Sequence, residues 1–246
     1  MSPADRPLAA IAREVAAEWG LELGPPFALA RYSYVAPAGA DAVLKIVPPE
    51  EDESDEEGDA LELWAGEGAA RLLRRDRERR ALLLERAHPG SDLSELPEEE
   101  ATPIAVDIAL RLWRPATEPF RWIGDQLPVW LGEAEGRLGE VARQLYDSLD
   151  VGRGMLVHGD FHHHNLVRSE RGYLAIDAKA MLGEPEYDVA SFLWNPLPCR
   201  LRVEHLEARL AAFAAAGLDE QRMRIWTVIR GSYLQPQEAE KLLALL

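Results

Sequence analysis

The segment 155-MLVHGDFHHHNLVRSERGYLAID-177 decides how the rest of the chain is read. Met155-Leu156-Val157 is a short apolar run of the kind that forms a buried strand. A polar loop follows, His158-Gly159-Asp160-Phe161-His162-His163-His164-Asn165. Leu166-Val167 leads into Arg168-Ser169-Glu170-Arg171-Gly172, a turn by composition. Tyr173-Leu174-Ala175-Ile176 is a further short strand, and it delivers Asp177. Asp160, Asn165 and Asp177 thus come to the edges of one loop system, three oxygen-bearing side chains together.

Phosphoryl transfer requires such groups. A carboxylate orients the attacking hydroxyl and accepts its proton, while an amide oxygen and a second carboxylate hold Mg²⁺ against nucleotide phosphates. A kinase-like catalytic loop sets its base five residues before the Asn, as Asp160 stands to Asn165. The pattern H-G-D-x-H-x-x-N followed by I-D, here His158, Gly159, Asp160, His162, Asn165 and Ile176-Asp177, resembles the aminoglycoside phosphotransferase family, relatives of the protein kinases. Two simpler readings compete. The three consecutive histidines could form a zinc cluster, but adjacent side chains on an extended loop point apart and seldom close a tetrahedral site. A lone Asp or Asn in a turn commonly caps its own backbone; the kinase spacing of all three favours the chemical reading.

The chain has 246 residues, 47% of them hydrophobic and 28% charged, as in ordinary globular proteins. Its one cysteine, Cys199, precludes an intrachain disulfide framework. MSPADRPLAA lacks the basic start and apolar core of a signal peptide. No apolar run reaches the roughly 18 residues a membrane span needs. A soluble, cytoplasmic protein is expected. The formal net charge of −16 disfavours nucleic acid and anionic membranes as partners and suits a cationic acceptor. The sequence leaves the oligomeric state open.

Along the chain, Leu8, Ile11, Ala12, Val15 and Trp19 make a helical stripe that Gly20 can stop. Residues 27–35 read as a strand, 37–41 as a turn and 42–47 as a second strand. Lys45 stands alone in that apolar strand, where an ammonium needs an anionic partner. Glu50 to Glu57 holds seven acids in eight residues, a solvated block that also suits a helix N-terminus. Ala81–Glu85 reads as a buried strand after a charged tip at 74–80. Residues 103–113 read as a helix, 115–128 as a loop rich in Pro and Trp, and Leu138 to Leu149 as an amphipathic helix. Asp188 precedes the apolar run 189–194 and is expected to cap that helix or to partner the catalytic loop. Further helices are expected over 204–216 and in the tail; the family resemblance implies that late helices line the acceptor pocket, where Glu204, Glu207 or Glu220 could meet a cation, although surface solvation is the favoured reading for any one of them.

A narrower likeness spans roughly Gly24 to Asn195. Tyr32-Ser33-Tyr34-Val35, Val43-Leu44-Lys45, the run Trp64 to Leu73 and the run Leu82 to Gly90 are similar to the streptomycin and hydroxyurea phosphotransferase branch. The resemblance implies an α+β, two-lobed protein-kinase-like fold, with a small antiparallel N-terminal lobe over 1–87 and a mainly helical lobe over 88–246. It implies ATP and Mg²⁺ as cofactors and a small, cationic or polar hydroxyl compound as acceptor. Asp160 would be the base, and Asn165 and Asp177 the metal ligands. Lys45 would grip the phosphates, held by Glu57, with Glu62 as the alternative partner. Ser33 would approach the phosphates, and Glu85 to Ala87 would form the adenine-binding hinge. His158 and His162 would brace the loop. Two departures stand out: no G-x-G-x-x-G precedes Lys45, and Ala180 replaces the glycine of D-x-K-G. They keep a nucleotide-binding module without turnover in view, beside a metabolite kinase for a sugar or amino alcohol.

Overall fold

The computed structural model describes residues 7–28, 32–49, 56–196 and 203–243. The chain divides into two compact units. The first runs to Ser91 and includes residues 167–176; the second comprises 92–166 and the chain from Asp177 onward. The boundary expected at 87/88 thus falls at Ser91/Asp92, and the hairpin after the catalytic loop belongs with the first unit.

In the first unit, α1 (Leu8–Trp19) ends where Gly20 turns left-handed at φ 67° and returns its N–H to Ala16 O. β1 (Tyr34–Pro37), β2 (Ala42–Ile46), β3 (Leu72–Asp76) and β4 (Ala81–Glu85) form an antiparallel sheet in the order β1-β2-β4-β3. The register pairs Val35 with Lys45 and Lys45 with Leu82. Ala12, Val15 and Ala16 of α1 pack on Ala38, Leu44, Ile46 and Ala81, a core of small and branched apolar groups. α2 (Glu57–Trp64) opens with Glu57 and Asp59 in its first turn, where acids favour the helix dipole.

The strand expected over 27–35 is instead β1, displaced toward the turn; residues 29–31 lie outside the described residues, as do 50–55 of the acidic block. Phe27 still pairs by its N–H with Val35 O at 2.9 Å, so the segment approaches β1 without continuing it.

The second unit is mainly helical. α3 (Glu98–Leu112) begins earlier than expected, because three glutamates fill its first turn and Pro103 sits within it. The expected 115–128 loop holds β5 (Arg114–Pro115) and the start of α4 (Ile123–Glu133), which contains Pro128. Pro128 has no N–H for the carbonyl of Gly124; the Tyr146 hydroxyl donates to that oxygen at 3.4 Å instead. α5 (Gly136–Asp147) carries Tyr146. β6 (Met155–Val157) lies between β5 and β9 (Met181–Gly183), antiparallel to both. β9 was not expected from sequence, since three residues are too few to show a period.

β7 (Leu166–Ser169) and β8 (Gly172–Ala175) form the hairpin between Asn165 and Asp177. α6 (Pro185–Trp194), α7 (Val203–Ala215), α8 (Glu220–Leu234) and α9 (Pro236–Leu243) complete the unit. α6 is buried from Tyr187 to Trp194 and packs on α8, itself buried from Trp226 to Ser232. Among the described residues no helix is long and apolar enough to cross a membrane.

Candidate active site

The loop from His158 to Asn165 leaves β6 and enters β7 through one 3-10 turn, His163–Asn165. Its backbone is held group by group. His158 N–H donates to Asp188 Oδ2 at 2.7 Å, and Gly159 N–H to Asp188 Oδ1 at 2.7 Å. His158 O accepts from Lys179 N at 2.8 Å. Asp160 N–H donates to His158 Nδ1 at 3.3 Å, and Arg230 Nη2 donates to Gly159 O at 2.7 Å. Gly159 adopts φ 81°, and a Cβ there would lie 2.0 Å from Lys179 O, so no side chain fits.

Asn165 closes the loop on itself. Its Nδ2 donates to Asp160 O at 2.9 Å and to Asp160 Oδ2 at 3.2 Å. With the amide nitrogen so used, Oδ1 is the atom Asn165 has left to offer. Burial would raise the Asp160 carboxyl, but His162, whose Nε2 stands 3.5 Å from Oδ2, and the charge of Arg230 outweigh it and hold the pKa at about 2. Asp177 follows β8 with an exposed side chain and a left-handed backbone, φ 59°, which turns the chain sharply there. Its charge reaches His158, which burial nonetheless pushes toward the neutral form. The Asn165 amide oxygen and the Asp177 carboxylate are hard oxygen donors of the kind that suits Mg²⁺.

The three histidines diverge. His162 faces Asp160. His163 stacks flat on Phe192, centroids 4.1 Å apart, and burial with the nearby Arg209 charge lowers its pKa to about 3. His164 pairs through Nδ1 with Asp92 at 2.8 Å. Among the described residues no three His, Cys, Asp or Glu side chains converge to hold a metal.

Asp188 lies inside the first turn of α6, fully buried. It does not cap its own helix. Besides the two loop N–H groups it accepts from Trp113 Nε1 at 3.0 Å, so it partners the catalytic loop. Ala180 is buried at a φ that needs no glycine, which removes any backbone reason for one there.

In the first unit, Lys45 Nζ lies 2.6 Å from Glu57 Oε2, with side chains 6% and 1% exposed. Glu62 points elsewhere: it is half exposed and lies 3.8 Å from Arg75 and 3.9 Å from Arg77. Ser33 is half-buried in the bend before β1. Glu85 accepts from Arg71 N at 3.0 Å and pairs with Arg171, so its side chain is engaged within its own unit. Ala87 follows β4 in an irregular, partly buried stretch.

The sequence reading did not single out Arg230, Glu184 or Arg209. Two of them carry a signal in the sequence: Arg230 interrupts the apolar run of α8, and Glu184 precedes a helix-starting proline. Glu184 accepts from Arg222 Nε at 2.6 Å and Nη2 at 2.7 Å and from Trp226 Nε1. Arg209 pairs with Glu98 at 2.6 Å and donates to Phe192 O and Leu193 O at the end of α6.

Residues 30–235 match the family described as aminoglycoside/hydroxyurea antibiotic resistance kinases. This chain belongs to that family. It is 32% identical to hydroxyurea phosphotransferase of Kitasatospora aureofaciens, over 86% of this chain and 67% of that protein. It is also 32% identical to streptomycin 3''-kinase of Klebsiella pneumoniae, over 68% of this chain and 69% of that protein. Its fold matches choline kinase LicA from Streptococcus pneumoniae with a TM-score of 0.62 at 15% identity, over 97% of this chain and 99% of that one. The antibiotic resistance kinase is thus an α+β protein of kinase-like fold, and a phosphotransferase with an alcohol group as acceptor.

Proposed function

We propose that this kinase, working in the cytoplasm, moves the γ-phosphoryl group of ATP to a hydroxyl of a small polar or cationic compound, an aminoglycoside such as streptomycin, or hydroxyurea. The observation that carries the reading is the double hydrogen bond from Asn165 Nδ2 to Asp160, which presents a carboxylate and an amide oxygen together on one rigid loop. Sequence relatives that phosphorylate hydroxyurea and streptomycin support the acceptor class.

Asn165 Oδ1 and the Asp177 carboxylate would hold Mg²⁺. When bound, the ion neutralises phosphate charge and aligns the γ-phosphoryl group. Lys45, oriented by its ion pair with Glu57, binds the phosphates. Ser33 adds a hydroxyl near them, and the backbone of Glu85 to Ala87 offers the adenine its hydrogen bonds.

Asp160 accepts a hydrogen bond from the acceptor hydroxyl and aims its oxygen at the γ-phosphorus. The new P–O bond forms as the bond to the β–γ bridging oxygen breaks; ADP leaves with that oxygen, and the hydroxyl proton passes to Asp160. A carboxyl with a pKa of about 2 is a weak base. Its work is therefore chiefly orientation, with the proton transferred late, when the attacking oxygen has become acidic. The low pKa ensures that the carboxylate is ionised at any physiological pH.

The test is ADP release by the full chain with ATP and Mg²⁺, screened over streptomycin, other aminoglycosides, hydroxyurea and simple sugars. Release stimulated by streptomycin or hydroxyurea is expected. Stimulation by a sugar alone would reassign the acceptor, and no stimulation by any compound would remove the kinase reading.

A further inference from the structure

Arg230, in the middle of α8, is 3% exposed. Burying a guanidinium is costly, and buried arginines commonly recover that cost by forking onto a carboxylate. Arg209, also buried, does so here with Glu98. Arg230 does not. Among the described residues no carboxylate lies within ion-pair distance of it. Its Nη2 donates to Gly159 O at 2.7 Å, its Nη1 to Tyr187 O at 3.2 Å, and its guanidinium lies 4.0 Å over the Tyr187 ring. Its Nε is buried with no hydrogen-bond partner. A side chain selected only to satisfy itself would not leave a donor orphaned.

We propose that Arg230 is a positioning residue for phosphoryl transfer, fixing the peptide plane between Gly159 and Asp160 so that the Asp160 carboxylate faces the acceptor hydroxyl. The inference rests on Asp160 being the group that orients that hydroxyl. The carbonyl of this plane is held by Arg230 and its N–H by His158 Nδ1. The preceding plane is held by Lys179 and Asp188. The following plane is held at Asp160 O by Asn165 Nδ2, so both planes that flank the Asp160 Cα are pinned and its Cα–Cβ direction is fixed. Without Arg230, the carbonyl of the second plane loses its only charged donor, and the plane can turn about its Cα–Cα axis. A carboxylate displaced by about 1 Å can cost on the order of a hundredfold in rate without altering ground-state binding. The guanidinium also places positive charge behind Asp160, and its charge is one of the effects that keep that carboxyl ionised.

The experiment compares Arg230→Met, Arg230→Lys and Asp160→Asn in the full chain, with streptomycin as acceptor, or hydroxyurea if the screen selects it. Arg230→Met is expected to lower kcat about a hundredfold with KM for ATP within about twofold of the parent. Arg230→Lys keeps the charge but not the two-carbonyl fork, and is expected to recover roughly tenfold of that loss. It also serves if the Met variant does not fold. A folded Met variant with kcat within about threefold of the parent overturns the proposal. So does a Lys variant, tested in place of an unfolded Met variant, whose kcat equals the parent's. If Asp160→Asn keeps full turnover, the reading beneath the proposal fails as well; if Asp160→Asn is inactive while the Arg230 variants are parent-like, only the role of Arg230 fails.

Discussion

Asn165 donates from one nitrogen to both the main-chain and side-chain oxygens of Asp160, five residues before it, at 2.9 and 3.2 Å. The spacing is therefore more than a mark of family. It makes the amide orient the carboxylate while turning its own oxygen outward. Asp160→Asn should keep ATP binding, measured by nucleotide titration, and lose turnover by about 10²–10⁴, the usual contribution of a positioned proton acceptor. Full turnover in a folded Asp160→Asn protein would rule out the assigned role.

Asn165→Ala should do two things at once. It frees the Asp160 carboxylate to rotate and removes an oxygen from the Mg²⁺ set. Activity should fall, and the Mg²⁺ concentration for half-maximal rate should rise several-fold. Loss of rate with an unchanged Mg²⁺ requirement would confine Asn165 to the first effect.

Lys45 and Glu57 form a buried ion pair, so removing one partner takes that ion-pair contact from the other. Glu57→Ala should cost about 3–5 kcal/mol of stability, whereas the double change Lys45→Met with Glu57→Leu should recover most of it, because an apolar pair of similar volume needs no desolvated charge. Neither should phosphorylate an acceptor. Denaturant melts separate the two effects: a double variant as unstable as the single one would mean that the pair is not what fixes this corner of the sheet.

Asp188 accepts three N–H groups with no exposure to water. Asp188→Ala leaves all three donors buried and unpaired, at about 1–3 kcal/mol each, not strictly additive. Stability should drop by at least about 3 kcal/mol, and activity with it. Asp188→Asn can present only one oxygen, and should be intermediate in thermal midpoint.

Glu98 contributes to the acid limb of stability, as Asp160 does. Burial would raise its pKa, but hydrogen bonds from Arg209 and Thr102 and the Arg209 charge hold it at about 2, against 4.5 when free. The folded value is the lower one, so its contribution is fully present above about pH 4.5 and is lost as pH falls toward 2. The shift corresponds to about 3 kcal/mol. Glu98→Gln should be less stable at pH 7 and show a shallower loss of stability between pH 4.5 and 2.

Much of this was legible in residues whose spacing is set by chemistry. The spacing of Asp160 and Asn165 was legible as a contact, since it brings the amide onto the carboxylate, whereas the roles of Asp160, Asn165 and Asp177 in transfer stand as proposed. Lys45 was readable because an ammonium inside a strand demands a partner. Asp188 was half legible: its place before an apolar run suggested a cap, yet its carboxylate caps the loop 30 residues earlier, a pairing that no local pattern encodes. α4 was hidden by Pro128, whose vacated carbonyl is served by a tyrosine from another helix. Arg230 shows as a break in an apolar run, but what it holds was not legible for the same reason, since its partners lie 43 and 71 residues away. Long-range satisfaction of polar groups is what the linear pattern does not carry.

The hairpin 167–176 leaves the second unit and is counted with the first, where Ala175 O receives the N–H of Ala70 and Ala175 N donates to Gly68 O. Cutting the gene after Ser91 would therefore not yield a finished nucleotide-binding piece. The upstream product would lack the ribbon that ties down Gly68 to Ala70, and the downstream product would carry that ribbon with nothing to tie. Fusion, splitting or shuffling of such kinases must respect this interleaving of four segments of chain, not two.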